Sequence, residues 1–84
     1  MVPVTLYTTP FCPYCVAAKR FLAGKGVPFT EVDVSDDDAR REWLVAVTGQ
    51  RTVPQIFVGE TSIGGYTDLR ALDSRGGFEP LLSR

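Results

Sequence analysis

Cys12 and Cys15 stand three residues apart with Pro13 and Tyr14 between them, and the chain holds no other cysteine and no histidine. A C-x-x-C pair can be a structural staple, half of a zinc site or a redox dithiol. A staple across so short a loop would remove little entropy from the unfolded chain. Zinc takes about four sulfur or nitrogen ligands, and this chain offers two sulfurs. Thiol–disulfide exchange is the chemistry these residues favour.

Pro13 is suited to the first position of a helix, which puts Cys12 at the N-cap. There its sulfur can accept hydrogen bonds from the backbone N–H groups of Tyr14 and Cys15, and the positive end of the helix dipole favours the thiolate form. An acidic thiol is a weaker nucleophile per thiolate but a faster leaving group, so one residue can serve both halves of an exchange cycle. Cys15 lies one turn further along the same face, where it can attack a mixed disulfide on Cys12 while staying shielded from substrate. This spacing makes Cys12 the nucleophile and Cys15 the resolving thiol.

The elements that must position this pair are legible in outline. Val4 to Thr8 alternates and is β-branched, and Pro10 stops it, so it is a first strand. A helix from Pro13 follows, with Ala17, Ala18, Phe21 and Leu22 as its apolar stripe and Gly24 or Gly26 as its end. Phe29 to Val34 reads as a second strand. Ser35 as N-cap with Asp38 opens a second helix that Gly49 closes, with Asp36–Arg40 and Asp37–Arg41 as exposed pairs and Trp43 and Val47 packed inward. Thr52 to Val58 is a third strand, joined through Gly59-Glu60 to a fourth around Thr61 to Ile63. A third helix runs from about Thr67 to Ser74, with a last short turn at Phe78 to Leu82. The order βαβαββα predicts an α/β fold in which a four-stranded mixed sheet carries helices on both faces.

At 84 residues, without repeats or linkers, the chain is expected to form one domain over 1–84. The net charge of −1, from nine basic and ten acidic residues, leaves no electrostatic footprint for nucleic acid or an anionic membrane. The N-terminal Met1-Val2-Pro3-Val4 lacks the basic stretch and apolar core of a leader, so a cytoplasmic protein is expected. In that reducing setting a close cysteine pair is more often catalytic than structural.

The Cys12-Pro13-Tyr14-Cys15 motif, with Thr52-Val53-Pro54 and Gly64-Gly65-Tyr66-Thr67-Asp68-Leu69 at matching distances, resembles the bacterial dithiol glutaredoxins of the thioredoxin superfamily. The resemblance runs over nearly the whole chain. It implies a thioredoxin-like fold and a thiol–disulfide oxidoreductase that uses glutathione as co-substrate, with no metal. It implies that Pro54 is cis, freeing the Val53 main chain to pair with the cysteinyl part of glutathione as a strand would. Gly65, Thr67 and Asp68, at the start of the third helix, would receive the γ-glutamyl end. Gln50 and Arg51 would hold the glycyl carboxylate, and Tyr14 and Tyr66 would wall the groove.

Each of these residues also has a plainer reading. Pro54 can begin an edge strand, Thr67 and Asp68 can cap a helix, and Arg51 can be a solvated loop residue. One position departs from the pattern: Thr9 stands where the resemblance leads to a lysine. The resemblance further implies glutathione and disulfide-containing or glutathionylated proteins as partners, ribonucleotide reductase among them, and a monomer. Two alternatives keep the motif and change the role: a small redoxin reduced by thioredoxin reductase, and an iron–sulfur cluster carrier, against which Pro13 counts.

Overall fold

The computed structural model describes residues 1–83. The alternation in the first strand, β1 (Val4–Thr8), sends Val4, Leu6 and Thr8 to one buried face and leaves Thr5 and Tyr7 on the other. The elements that follow are α1 (Pro13–Gly24), β2 (Thr30–Asp33), α2 (Asp38–Thr48), β3 (Gln55–Val58), β4 (Thr61–Gly64), α3 (Tyr66–Ser74) and α4 (Phe78–Leu82). The sheet order is β2-β1-β3-β4. β1 runs parallel to β2 and antiparallel to β3, and β3 runs antiparallel to β4, which gives the expected mixed sheet.

Two clusters fill the two faces. Val4 and Leu6 of β1 and Ile56 and Val58 of β3 pack against Ala18 and Leu22 of α1, Leu69 of α3, and Phe78 and Leu82 of α4. On the opposite face Val34, Leu44 of α2 and Phe57 pack together with Tyr7, Val32 and Val53 around them. β3 is buried at all four positions, with Ile56 and Val58 in the first cluster and Phe57 in the second, whereas β1 alternates between buried and half-buried. Leu22 is fully buried, so truncation to alanine would cost about 2–5 kcal/mol.

α1 ends as a glycine-closed turn. Gly26, at φ 70°, donates to the Ala23 carbonyl, and Val27 donates to the Leu22 carbonyl at 2.9 Å. Gly26 thus supplies the left-handed residue and Lys25 the helix end. At the far end of β1, buried Thr8 donates its Oγ1 hydrogen to Glu31 Oε2 at 2.7 Å, and Lys19 Nζ lies 3.1 Å from the same oxygen. This ties α1 to the edge strand β2 where the loop to Cys12 begins.

Several expected details differ. α2 is capped by Asp37, which accepts from the Arg40 N–H at 2.9 Å, and not by Ser35. The Ser35 N–H is already taken by the Asp33 carboxylate at 2.8 Å, and Val34 still pairs with β1 through the Thr8 carbonyl, so the chain is extended for longer than the capping pattern suggested. Asp36 and Asp37 therefore precede the helix and do not form the expected pairs; the Arg40 guanidinium sits over the Trp43 ring at 5.0 Å. Trp43 and Val47 are not core residues: both are exposed, and Leu44 is the buried residue of this helix. Trp43 instead stacks on Phe57 and tilts against Tyr7, with ring centroids 5.8 and 5.7 Å apart. β3 begins at Gln55, not Thr52, because residues 52–54 turn around Pro54 before entering the sheet.

Candidate functional site

Cys12 has extended backbone dihedrals (φ −106°, ψ 105°) immediately before Pro13, which opens α1. That conformation turns its sulfur back over the helix start, where it accepts the Cys15 N–H at 3.1 Å. Tyr14, at the second helical position, makes no such bond and stands largely exposed. The Cys12 thiol also reaches the Val53 carbonyl, with sulfur and oxygen 3.8 Å apart. The peptide bond between Val53 and Pro54 is cis.

Cys15 has an opposite environment. It is buried to 2% exposure on the inner face of α1. Burial, aided by its hydrogen bond and charge interaction with Cys12, pushes its thiol up from an ordinary 9.0 to about 12, while the Thr9 backbone and the Lys19 charge pull it down. The two sulfurs thus differ in access to solvent although they stand one turn apart. Thr9, the position that departs from the family pattern, contributes here through its main chain.

An open groove begins beside Cys12. One wall is the loop Gln50, Arg51, Thr52, Val53 and Pro54, the other is Gly65, Tyr66, Thr67 and Asp68, and Tyr14 lies at its end. All the residues singled out from the sequence as glutathione contacts therefore line one surface. The Tyr14 and Tyr66 rings approach to 6.4 Å between centroids. Asp68 has a local partner as well, since its Oδ2 accepts the Gly65 N–H at 2.9 Å. Gly64 (φ 105°) lies so close that a side chain there would collide with the Asp68 carboxylate. The first intrahelical bond of α3 runs from Leu69 to the Gly65 carbonyl, so the N–H groups of Tyr66, Thr67 and Asp68 have no acceptor within the helix. Among the described residues, no three His, Cys, Asp or Glu side chains come together as a metal site.

Sequence reasoning missed Gln55. It is fully buried, and its Nε2 donates to the Thr52 carbonyl at 2.9 Å and to Gln50 Oε1 at 3.0 Å, bracing the loop that forms one wall of the groove. The available signal was a polar residue opening a continuous apolar strand directly after Pro54. Phe11 was also passed over, although it precedes the nucleophile directly; it is fully exposed with φ 61°.

A family model described as glutaredoxin matches residues 4–63. Glutaredoxin 3 of Escherichia coli K12 is 49% identical over 82 residues, covering 98% of this chain and 99% of that protein. A glutaredoxin of Pseudomonas aeruginosa is 47% identical over 83 residues, covering 99% of each. Among solved structures, a buckwheat glutaredoxin–glutathione complex superposes with a TM-score of 0.90 at 31% identity, covering 96% of this chain and 76% of that one. The solution structure of glutaredoxin from Brucella melitensis gives a TM-score of 0.86 at 45% identity, covering 98% and 89%. With its thioredoxin-like sheet, its paired cysteines at a helix start and these relatives across its length, the chain belongs to the glutaredoxin family and is a glutathione-dependent thiol–disulfide oxidoreductase.

Proposed function

We propose that Cys12 is the nucleophile and Cys15 the resolving thiol of a cycle in which glutathione is the co-substrate and the acceptors are protein disulfides and glutathionylated proteins. The observation that carries this assignment is the asymmetry of the two sulfurs: Cys12 sits at the helix start beside the groove, and Cys15 is buried with its proton held tightly.

With a glutathione mixed disulfide, the Cys12 thiolate attacks the glutathione sulfur. The protein–glutathione bond breaks, the protein leaves as a thiolate that takes a proton from solvent, and Cys12 is left joined to glutathione. A second glutathione thiolate then attacks that disulfide, releasing oxidised glutathione and the Cys12 thiolate. With a protein disulfide, Cys12 first joins one protein sulfur and Cys15 then displaces it, leaving a Cys12–Cys15 disulfide for two glutathiones to reduce.

Forming the mixed disulfide removes both the hydrogen bond and the charge through which Cys12 raises the Cys15 thiol, while the pull of Lys19 remains. Cys15 therefore loses its proton more readily once it has a bond to attack. The cycle needs only thiols, and no metal takes part in it.

In the groove, the Val53 main chain just before the cis bond pairs with the cysteinyl residue of glutathione. Arg51 and Gln50 hold the glycyl carboxylate. The unpaired N–H groups at the α3 start, with Gly65 and Thr67, receive the γ-glutamyl carboxylate, and Asp68 presents Oδ1 to its ammonium while Oδ2 caps the helix. That the buckwheat relative forms a complex with glutathione supports glutathione as the partner of this groove. The chain works as a single domain and a monomer in the cytoplasm, and ribonucleotide reductase is one protein disulfide to offer it.

The test is a pair of variants assayed with glutathione and its reductase. Cys12→Ser abolishes turnover of every substrate, whereas Cys15→Ser keeps turnover of a glutathione mixed disulfide and loses protein disulfides that need both thiols. Turnover of the mixed disulfide by Cys12→Ser would reverse the assignment.

A further inference from the structure

Three of the six large apolar side chains that stand exposed, Phe11, Tyr14 and Val16, fall within four residues of Cys12. Tyr14 lines the glutathione groove, but Phe11 and Val16 do not. Val16 belongs with Pro13, Ala17, Arg20 and Phe21 to a second open cleft, which shares Tyr66 with the first. Phe11 is the most conspicuous of the three. Every other phenylalanine is at least partly covered, yet Phe11 is fully exposed, and it is the only non-glycine residue with positive φ among the described residues. A bulky side chain in that backbone region is disfavoured, and a ring left in water contributes nothing to the core. Neither local conformation nor packing of this chain accounts for a phenylalanine here.

We infer that Phe11, with Val16 and Pro13 beside it, is a docking surface for the polypeptide part of the substrate, and that it selects cysteines flanked by an apolar side chain. This rests on the cycle proposed above. When Cys12 attacks a glutathionylated protein, three sulfurs lie in line, with glutathione in the middle and the protein thiolate as leaving group. Glutathione occupies the groove on the Val53 and Asp68 side, so the protein must approach over the remaining rim of Cys12. On that rim Phe11 and Val16 are exposed and apolar, Pro13 and Val16 open onto the neighbouring cleft, and Arg20 is the one charged side chain lining that cleft. The matching partner is a leucine, phenylalanine or similar residue next to the modified cysteine, which covers the Phe11 ring as the complex forms.

The experiment measures kcat/KM for two glutathionylated peptides that differ only in the residue beside the cysteine, leucine in one and serine in the other. Glutathionylated 2-mercaptoethanol serves as a substrate with no polypeptide. Wild type is expected to prefer the leucine peptide by about tenfold, the scale set by withdrawing part of an aromatic ring and a leucine from water. In Phe11→Ser and Phe11→Gly the preference falls to within about twofold, while turnover of the small substrate is unchanged. Phe11→Gly also melts no lower than wild type, since glycine adopts positive φ freely, which separates lost docking from lost folding. A preference that survives both substitutions, or a parallel loss with the small substrate, overturns the inference. A wild-type protein that fails to turn over the small substrate overturns the underlying cycle instead.

Discussion

Cys15 offers the sharpest quantitative consequence of the structure. Its thiol is raised from 9.0 to about 12, first by burial and then by Cys12. At pH 8 an ordinary thiol of pKa about 9 is roughly one-tenth thiolate, whereas one near 12 is about one part in ten thousand. Alkylation of Cys15 in the reduced protein should therefore run about a thousandfold slower than that of an exposed cysteine in a peptide, before any steric shielding is added. The assay is a short iodoacetamide pulse on reduced protein from pH 7 to pH 10, followed by peptide mapping of singly labelled chains. Single labelling matters, because blocking Cys12 removes its share of the shift. Chains labelled at Cys15 alone should be rare at pH 8 and rise about tenfold per pH unit without levelling off below pH 10. Cys12→Ser should speed Cys15 labelling yet leave it slower than in the peptide, since burial remains. A Cys15 rate within tenfold of the peptide at pH 8, or a plateau below pH 10, would refute the reasoning. The sign for stability follows: a raised thiol favours the folded state fully below pH 9.0, and that contribution is lost as pH climbs from there toward about 12.

Three further outcomes are expected. Asp68→Ala should raise the KM for glutathione and, by leaving the Gly65 N–H without its cap, lower stability by about 1 kcal/mol in urea titrations. A normal KM with lowered stability would make Asp68 a cap and nothing more. Gln55→Leu frees the loop at Gln50 and Thr52, so steady-state kinetics should show the KM for glutathione rising by more than kcat falls; an equal loss in both would point to a disrupted fold. Glu31 is held below its ordinary 4.5, first by the Thr8 hydroxyl and then by Lys19, so it favours the folded state above pH 4.5 and loses that effect as pH falls further. Glu31→Gln should accordingly be less stable than wild type at pH 7, with the gap narrowing below pH 4.5 in denaturant titrations.

Local sequence was enough wherever one short-range force dominates. Proline at a helix start dictated where Cys12 sits, the alternation of Val4, Leu6 and Thr8 oriented β1, and the glycines past α1, α2 and α3 marked their ends. The proposed glutathione contacts were legible only through resemblance, because Gln50–Pro54 and Gly65–Asp68 are remote from Cys12 in the chain and nothing local says that they share a groove.

Other features were settled by competition between partners that the sequence does not rank. Ser35 and Asp37 are both good caps, and Asp37 prevails because Asp33 takes the Ser35 N–H while β1 keeps Val34 extended. Trp43 and Leu44 are both apolar, and it is Leu44 that meets Val34 and Phe57 across the sheet. The proton affinity of Cys15, the bracing role of Gln55 and the exposure of Phe11 belong to the same class. Each depends on how much water the folded chain leaves around one atom, a quantity that exists only when distant segments have packed.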